Sequence, residues 1–195
     1  MTALTRILAL VGILAIALAA WIGPDLWRYK KAFDGFDDQA FATYKAMFDR
    51  LVETGNSAAA TVWQVKVAEG LSFEEVDQSI TAIAQDNNIK DVGALPLGDQ
   101  VEAMTGAPWR KLKIYLYCNP LTAAKMVEYD IAYAAYLPCR VSLVEDENGD
   151  LWITSLDMDM MIHGGKPLPP DLLEEALHVR EVIQDILNRA AEGDF

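Results

Sequence analysis

The dipeptide Asn148-Gly149 constrains the fold more than any other feature, because it lies between two segments in which apolar and polar residues alternate. Alternation with a period of two is typical of a β-strand with one buried face. Asn-Gly readily adopts the positive φ angles of a two-residue type I′ turn. We therefore predict a β-hairpin with strands at residues 139–146 and 150–156.

Capping motifs predict the other elements. Ser72 with Glu75 forms a capping box that opens a helix, and Asn119-Pro120 is typical of a helix start. The predicted elements, in order, are an N-terminal apolar helix, a helix from residue 37 or 38 to 53 that stops at Gly55, a strand at 60–68, the helix opening at Ser72, a strand at 111–117, a helix at 121–129, the hairpin, and a final helix capped by Asp171. Residues 89–110 are expected to be irregular apart from one helical turn.

This element order predicts an α+β fold. A strand, a helix and a strand in succession usually form a right-handed crossover between parallel neighbours. We expect an N-terminal transmembrane helix and then one two-layer domain, a mixed four-stranded sheet with helices mainly on one face. The expected divisions are 1–24, a transmembrane anchor or uncleaved signal; 25–59, a linker and helix; and 60–195, the α+β domain.

Residues 7–22 are continuously apolar, and a bilayer span needs about 20 such residues. Trp21, Trp27 and Tyr29 follow where an aromatic belt would anchor the helix. The alternative is a cleaved signal peptide with a small-residue site at 17–19. We expect an uncleaved anchor, because the run ends in tryptophan rather than in a polar cleavage region.

The orientation of the anchor rests on opposing indications. Arg28, Lys30 and Lys31 follow the span, and counting basic residues would place the domain in the cytoplasm. However, Arg6 directly before an apolar run is typical of export signals. We expect a single-pass protein of the bacterial inner membrane with a periplasmic domain.

The charge and the cysteine count exclude several classes. A formal charge of −13 repels phosphate backbones, and no basic stripe offsets it, so a nucleic-acid partner is not expected. The chain has two cysteines, too few for a four-cysteine zinc site, and they form neither a CxxC nor a CxxCH motif. The expected partners are the membrane, through the N-terminal helix, and an integral-membrane protein complex.

Two segments at a set spacing carry a family resemblance. These are Cys118-Asn119-Pro120 and the segment 137–140, Leu-Pro-Cys-Arg, which the acidic hairpin follows. With the strand near residue 62 and the capping box, the sequence resembles the domain of unknown function 302 family over roughly residues 60–162. The resemblance implies a compact α+β fold with no assigned reaction, so no catalytic residue carries over. It also resembles a membrane-anchored subgroup with a C-terminal extension that begins at Gly164.

Cys118 and Cys139 are the first candidate site, since one ends a strand and the other begins one. In an oxidising compartment a structural disulfide is the default expectation. Two buried free thiols are the second interpretation. The third is a reactive thiolate or a soft-metal ligand, with Arg140 lowering a thiol pKa or holding an anion.

Met161 and His163 are the second candidate. If residues 157–163 continue the strand, both side chains share one face, and with Cys118 and Cys139 they would suit copper(I). The favoured interpretation is that the methionines fill the core. No cofactor is therefore expected, and copper is the alternative.

Five tyrosines surround the cysteine region, either lining a ligand pocket or packing on the sheet: Tyr115, Tyr117, Tyr129, Tyr133 and Tyr136. Tyr117 and Tyr136 join Cys118, Cys139 and Arg140 as candidate ligand or redox residues. No assembled catalytic motif is present, so enzymatic activity is not favoured.

Three functional hypotheses follow. The first is a membrane-anchored extracytoplasmic binding or accessory domain of a membrane protein complex. The second is a thiol- or copper-handling protein that uses Cys118 and Cys139, with Met161 and His163. The third is a small-molecule hydrolase or isomerase.

Overall fold

The computed structural model describes residues 3–194, with backbone alone for residues 3, 4 and 6. The elements in chain order are α1 (Ala3–Phe33), α2 (Ala40–Thr54), α3 (Ser57–Ala60), β1 (Val62–Lys66), α4 (Phe73–Asp86), β2 (Lys90–Leu95), α5 (Leu97–Thr105), β3 (Leu112–Cys118), α6 (Pro120–Tyr129), a 3-10 helix (Ile131–Tyr136), β4 (Cys139–Glu145), β5 (Leu151–Leu156), α7 (Asp159–His163) and α8 (Pro170–Ala191).

Helix α1 stands apart from the rest of the chain. Its 31 residues extend about 46 Å at 1.5 Å per residue, longer than the roughly 30 Å of a bilayer's hydrocarbon core. An 18-residue window within the segment Ile7–Phe33 has a mean hydropathy of 2.4, and none of that window is buried in the described structure. The chain therefore has one N-terminal helix that is long and apolar enough to span a membrane.

The five strands form one antiparallel sheet in the order β1-β5-β4-β3-β2. The prediction of an α+β fold is confirmed, but the sheet has five strands rather than four and is antiparallel rather than mixed. The missed strand is β2, which was expected to be irregular. Helix α4 therefore links β1 at one edge to β2 at the opposite edge, and β1 and β3 are not neighbours.

The core lies between one face of the sheet and the helices α4, α6 and α8. Alternate residues of the central strands point into it, as the two-residue period of a strand requires. The largest fully buried apolar side chains are Val76, Ile80, Ile83, Tyr117, Val141, Leu143, Ile153, Ile162, Ile183, Ile186 and Leu187.

The predicted caps at Ser72, Asn119 and Gly55 are confirmed, but the predicted cap at Asp171 is wrong, because α8 begins at Pro170, its N-cap residue is Pro169, and Asp171 lies in its first turn. Ser72 and Glu75 form the capping box of α4, and the Asn119 side chain accepts from two backbone N–H groups at the start of α6. Gly55 ends α2 in the left-handed conformation, with φ of 63°. The caps at Ser72 and Asn119 fix the residues at which the helices after β1 and β3 begin.

The hairpin is confirmed, but the predicted type I′ turn is wrong. Gly149 N–H donates to the Asp146 carbonyl at 3.2 Å, and Asp146 N–H donates to the Asp150 carbonyl at 2.9 Å. Gly149 has a φ of 85°, whereas Asn148 is not among the described residues with positive φ. The Asp146–Asp150 pair therefore closes a loop of three residues. The Asp146 side chain stabilises this loop by accepting from Asn148 N–H at 2.8 Å and from Asp150 N–H at 3.0 Å.

Residues 159–163 form helix α7 rather than a continuation of β5. The Asp157 side chain accepts from Asp159 N–H at 2.9 Å, which turns the chain out of the strand. Met161 and His163 are therefore separated around a helix instead of sharing a strand face.

Candidate functional site

The candidate site is a cavity at the end of the sheet, where β3 passes into α6 and β4 begins. Helices α7 and α8 close its other side. The cavity is lined by Cys118, Asn119, Thr122, Ala123, Met126, Tyr133, Leu137, Cys139, Met158, Met161, Ala176 and Val179. Tyr133 also donates its hydroxyl to the Met161 carbonyl at 3.2 Å, which ties the 3-10 helix to α7.

The cavity is small and its wall is almost wholly apolar. Its free volume is about 30 Å³, room for about two water molecules. A site for a small organic ligand usually measures about 300–1,000 Å³. The space therefore suits a single ion or a ligand of two or three atoms, rather than an organic substrate.

Sulfur is the distinctive chemistry of the wall. The structure brings together three predicted site residues, Cys118, Cys139 and Met161. It adds Met126 and Met158, which the sequence did not single out. Five sulfur-bearing side chains thus border one cavity, and we call this group the sulfur cluster. The only sequence indication for Met126 was its position on the buried face of α6.

The two cysteines are free thiols, so the expected disulfide is absent from the structure. Cys139 lies opposite Tyr117 in the register of β3 and β4, and Cys118 is one position further along. Successive strand residues point to opposite faces, which explains why the two thiols are not paired although both border the cavity.

Burial holds both thiols in the protonated form. Desolvation raises the pKa of Cys139 to about 11, assisted by the neighbouring Cys118, while Arg140 lowers it only slightly. Desolvation also raises the pKa of Cys118, opposed by Lys90. The predicted lowering of a thiol pKa by Arg140 is thus outweighed by burial, and neither cysteine is an activated thiolate at neutral pH.

The other predicted ligand residues lie apart from the cavity. Tyr117 is buried in the core, its ring stacked with that of Tyr115 at a centroid distance of 6.4 Å. Arg140 is exposed, and Tyr136 is 46% exposed; both border a second depression beside Cys139 and Met161. Only the two cysteines of that predicted set line the cavity.

His163 does not belong to the sulfur cluster. Its imidazole is buried, and Nδ1 lies 3.1 Å from a carboxylate oxygen of Asp37. Helix α7 turns His163 towards the segment that follows α1, while Met161 borders the cavity. The predicted set of four metal ligands is therefore reduced to Cys118, Cys139 and Met161.

A metal at this site would depend on thioether ligands. Among the described residues no three His, Cys, Asp or Glu side chains are grouped so that they could hold a metal ion. Two thiols with methionine sulfur suit copper(I), whereas zinc prefers thiolate, imidazole and carboxylate. The thiols and thioethers of the wall are ligand types that a soft ion prefers.

A polar group that the sequence did not indicate lies between α4 and β3. Asp77 accepts hydrogen bonds from Lys113 Nζ at 2.6 Å and from the Tyr115 hydroxyl at 2.8 Å. Burial raises the pKa of Tyr115, and the bond to Asp77 raises it further. The carboxylate is thus engaged by two donors, which favours a structural role in joining α4 to β3 over acid–base catalysis.

Comparisons with known proteins agree with this fold. The family described as "Domain of unknown function DUF302" matches residues 63–190. A crystal structure of an uncharacterized conserved DUF302 protein from Bacillus stearothermophilus is similar, with a TM-score of 0.53 and 18% sequence identity; the match covers 67% of this chain and 98% of that one. At that identity the likeness concerns the fold alone. No curated protein matches the chain.

The family match extends further than the resemblance over residues 60–162 suggested. It includes most of α8, which was expected to be an extension. Ile183 and Ile186 of α8 are fully buried against the sheet, so this helix completes the core. The chain, with its match over more than half of its length and its five-stranded α+β fold, belongs to the DUF302 family.

Proposed function

We propose that the chain is a membrane-anchored binding subunit of a membrane protein complex. It represents a membrane-anchored subgroup of the DUF302 family, held in a bacterial inner membrane by α1 with its domain in the periplasm. The supporting observation is an apolar surface at the junction of α1 and α2, where the domain meets the anchor.

This juxtamembrane surface consists of Leu26, Tyr29, Phe33, Phe41, Phe48 and Val52. Phe41, Phe48 and Val52 lie within four turns of α2, and their side chains are 70%, 60% and 69% exposed. Leu26, Tyr29, Phe33 and Phe41 line one groove between the two helices, together with Phe36 and the charged residues Lys30, Asp34, Asp37 and Asp38. Contiguous exposed apolar surface of this kind typically marks a protein–protein or membrane contact.

The juxtamembrane surface is fixed to the domain rather than carried on a free linker. Asp37 N–H donates to the Gly165 carbonyl at 2.8 Å, and the Tyr44 hydroxyl donates to the Gly164 carbonyl at 2.7 Å. A transmembrane partner bound beside α1 would therefore hold the whole domain at a set position. This coupling supports an accessory role.

Native gels of membranes solubilised in several mild detergents test the proposal. We expect the full chain to migrate in a complex larger than the monomer, and the double variant Phe41→Gln/Phe48→Gln to migrate as the monomer. The matched control is Leu121→Gln/Ile131→Gln, since these residues are 77% and 83% exposed but lie away from α1. A wild-type chain that is monomeric in every detergent would contradict the accessory role.

The attachment of the chain to the membrane, and the side of the membrane on which its domain lies, are tested separately. We expect the full chain to stay in the membrane pellet at alkaline pH, and a chain that begins at Asp34 to be released. Protease added to intact spheroplasts should digest the domain. Protection of the domain until the membrane is broken would place it in the cytoplasm.

A second candidate function is copper(I) binding by the sulfur cluster, supported by the five sulfur residues around one ion-sized cavity. Copper(I) would replace the thiol protons, so its affinity should rise with pH. Anaerobic titration of the reduced protein against a chromogenic copper(I) chelator measures this. We expect one ion per chain and at least tenfold weaker binding in Cys139→Ser.

The matched control for the copper titration is Met104→Leu, because Met104 is 88% exposed on α5, outside the cavity. It should bind as the wild type does, whereas Met161→Leu should bind more weakly. Equal affinity of the wild type and Cys139→Ser would exclude the sulfur cluster as the copper site.

A further inference from the structure

The free edge of β1 has unpaired main-chain groups. Among residues 3–194, which the structure describes, β1 lies at one end of the sheet and pairs only with β5. Asp157 N–H donates to the Thr61 carbonyl, and Val67 N–H donates to the Leu151 carbonyl, each at 2.9 Å. Antiparallel ladders alternate, so Trp63 and Val65 bond to β5 while Gln64 and Lys66 direct their N–H and C=O groups away from the sheet.

The two ends of this free edge are closed. Arg50 Nη1 donates to the Val62 carbonyl at 3.5 Å and to Asp157 at 3.1 Å, which covers the start of the strand. Beyond the strand, Ala68 N–H donates to the Ala191 carbonyl at 2.8 Å. The open window is therefore the stretch from Gln64 to Lys66, with four outward main-chain groups.

A groove runs beside this window. It has a volume of about 430 Å³, within the range of about 300–1,000 Å³ that is usual for ligand sites. Trp63, Val65 and Leu187 form its apolar floor, and the amide side chains of Gln64, Gln184 and Asn188 form its polar wall. Amide side chains present two N–H donors and a carbonyl oxygen with two acceptor lone pairs, so they can bond both the C=O and the N–H of a peptide bond.

The opposite edge of the sheet differs. β2 has a bulge between Asp91 and Gly93, and the Asp91 side chain accepts a hydrogen bond from the Gly93 N–H at 2.8 Å. A bulge in an edge strand is a common means of preventing further strand pairing. β1 has no bulge in its register with β5. Protection at one edge and an open groove at the other distinguish β1 as the edge available to a partner.

We propose that the β1 edge binds an extended peptide segment of a partner protein by β-strand addition. The main chain of the segment pairs with Gln64 and Lys66, and an apolar side chain of the segment lies on Trp63 and Val65. The charges nearby are already paired, Arg50 with Asp157 and Lys66 with Asp150, so the groove favours an uncharged segment. This inference rests on the proposed role as a binding subunit and names the chemistry of the partner.

Proline at position 64 tests the inference directly. The Gln64 N–H takes no part in the β1–β5 ladder, so Gln64→Pro removes an outward donor and leaves the sheet intact. Gln64→Ala keeps the N–H and is the matched control. Val65→Pro breaks a ladder bond and shows what loss of the strand itself does to the melting temperature.

The probe is a phage-displayed library of random dodecapeptides selected on the full chain in detergent. We expect enriched peptides to bind Gln64→Pro at least tenfold more weakly than the wild type, and Gln64→Ala less than threefold more weakly. Hydrogen exchange on the wild type needs no variant: a bound peptide should slow the amides of Gln64 and Lys66, and leave that of Val92 on β2 unchanged.

Three results would overturn the inference: no enriched peptide, equal binding by Gln64→Pro, or unchanged exchange at Gln64 and Lys66. Self-association of the wild type that Gln64→Pro abolishes, without peptide binding, would instead assign the edge to a second copy. If native gels show a complex that depends on Phe41 and Phe48 while no peptide binds, this inference fails and the accessory role stands.

Discussion

Nδ1 of His163 and a carboxylate oxygen of Asp37 lie 3.1 Å apart, with only 4% and 11% of the two side chains exposed. The contact joins residues 126 positions apart and attaches the segment after α1 to the end of α7. It therefore sets the position of the domain relative to the anchor, and a buried imidazole without this partner would be left unsatisfied.

Replacing Asp37 should loosen that attachment. We expect Asp37→Ala to lower the free energy of unfolding by about 2 kcal/mol, the usual cost of removing a partner from a buried hydrogen bond to a charged group. Urea denaturation of the detergent-solubilised chain measures it. The neighbouring Asp38 is exposed, so Asp38→Ala should stay within about 0.5 kcal/mol of the wild type. Equal effects would show that the contact adds nothing.

Gly98 allows the close approach of α5 to β3. A Cβ there would lie 2.8 Å from the Arg110 carbonyl oxygen and 2.9 Å from the Leu112 nitrogen, and backbone atoms cannot rotate away. We expect Gly98→Ala to destabilise the fold by about 1–3 kcal/mol, as overpacking usually does. Gly165→Ala is the control, since nothing lies within 4 Å of its Cβ position. Urea denaturation of both variants measures the two free energies of unfolding, and equal values for Gly98→Ala and Gly165→Ala would contradict the close packing.

Local motifs were predictable because their partners lie within a few residues. The capping box at Ser72, the Asn119 cap and the hairpin around Gly149 each satisfy backbone groups over such a span, so the sequence alone indicates them. The order of strands depends on β2, which has no buried residue and is broken by Gly93 at a φ of 135°. An edge strand of that kind lacks the alternation by which strands are recognised.

The candidate site was predictable in part for the same reason. Cys118, Cys139 and Met161 flank the segments that meet at the end of the sheet, so grouping them needed only the strand and helix boundaries. Met126 and Met158 reach the cavity through the packing of α6 and α7 on α8, which no local pattern encodes. The seven residues 157–163 were too few to distinguish helix from strand, and this misplaced His163.

The carboxylate of Asp146 makes the stability of the folded state depend on pH. Desolvation raises its pKa, but the N–H groups of Asn148 and Asp150 and the Trp152 indole outweigh it and lower the pKa below the ordinary 3.8. A lowered pKa in the folded state stabilises the fold above the unfolded pKa, and this stabilisation is lost as the pH falls through the folded value. Asp146→Asn should therefore melt below the wild type at pH 7, and the difference should shrink as the pH falls below the ordinary 3.8. A difference that stays constant until Asp146 is protonated in the folded chain would assign the effect to shape rather than to charge.

The partly buried thiol of Cys139 should react slowly and in a pH-dependent way. With its pKa raised to about 11, about one thiol in a thousand is ionised at pH 8, and only the thiolate reacts with iodoacetamide. We expect its alkylation rate, followed by mass spectrometry, to rise about tenfold per unit between pH 7 and pH 10. In urea Cys118 and Cys139 should react alike, since unfolding restores the ordinary pKa of both. Rapid alkylation of folded Cys139 at pH 7 would mean that the cavity holds a thiolate, which would favour a reactive cysteine over copper binding as the role of the sulfur cluster.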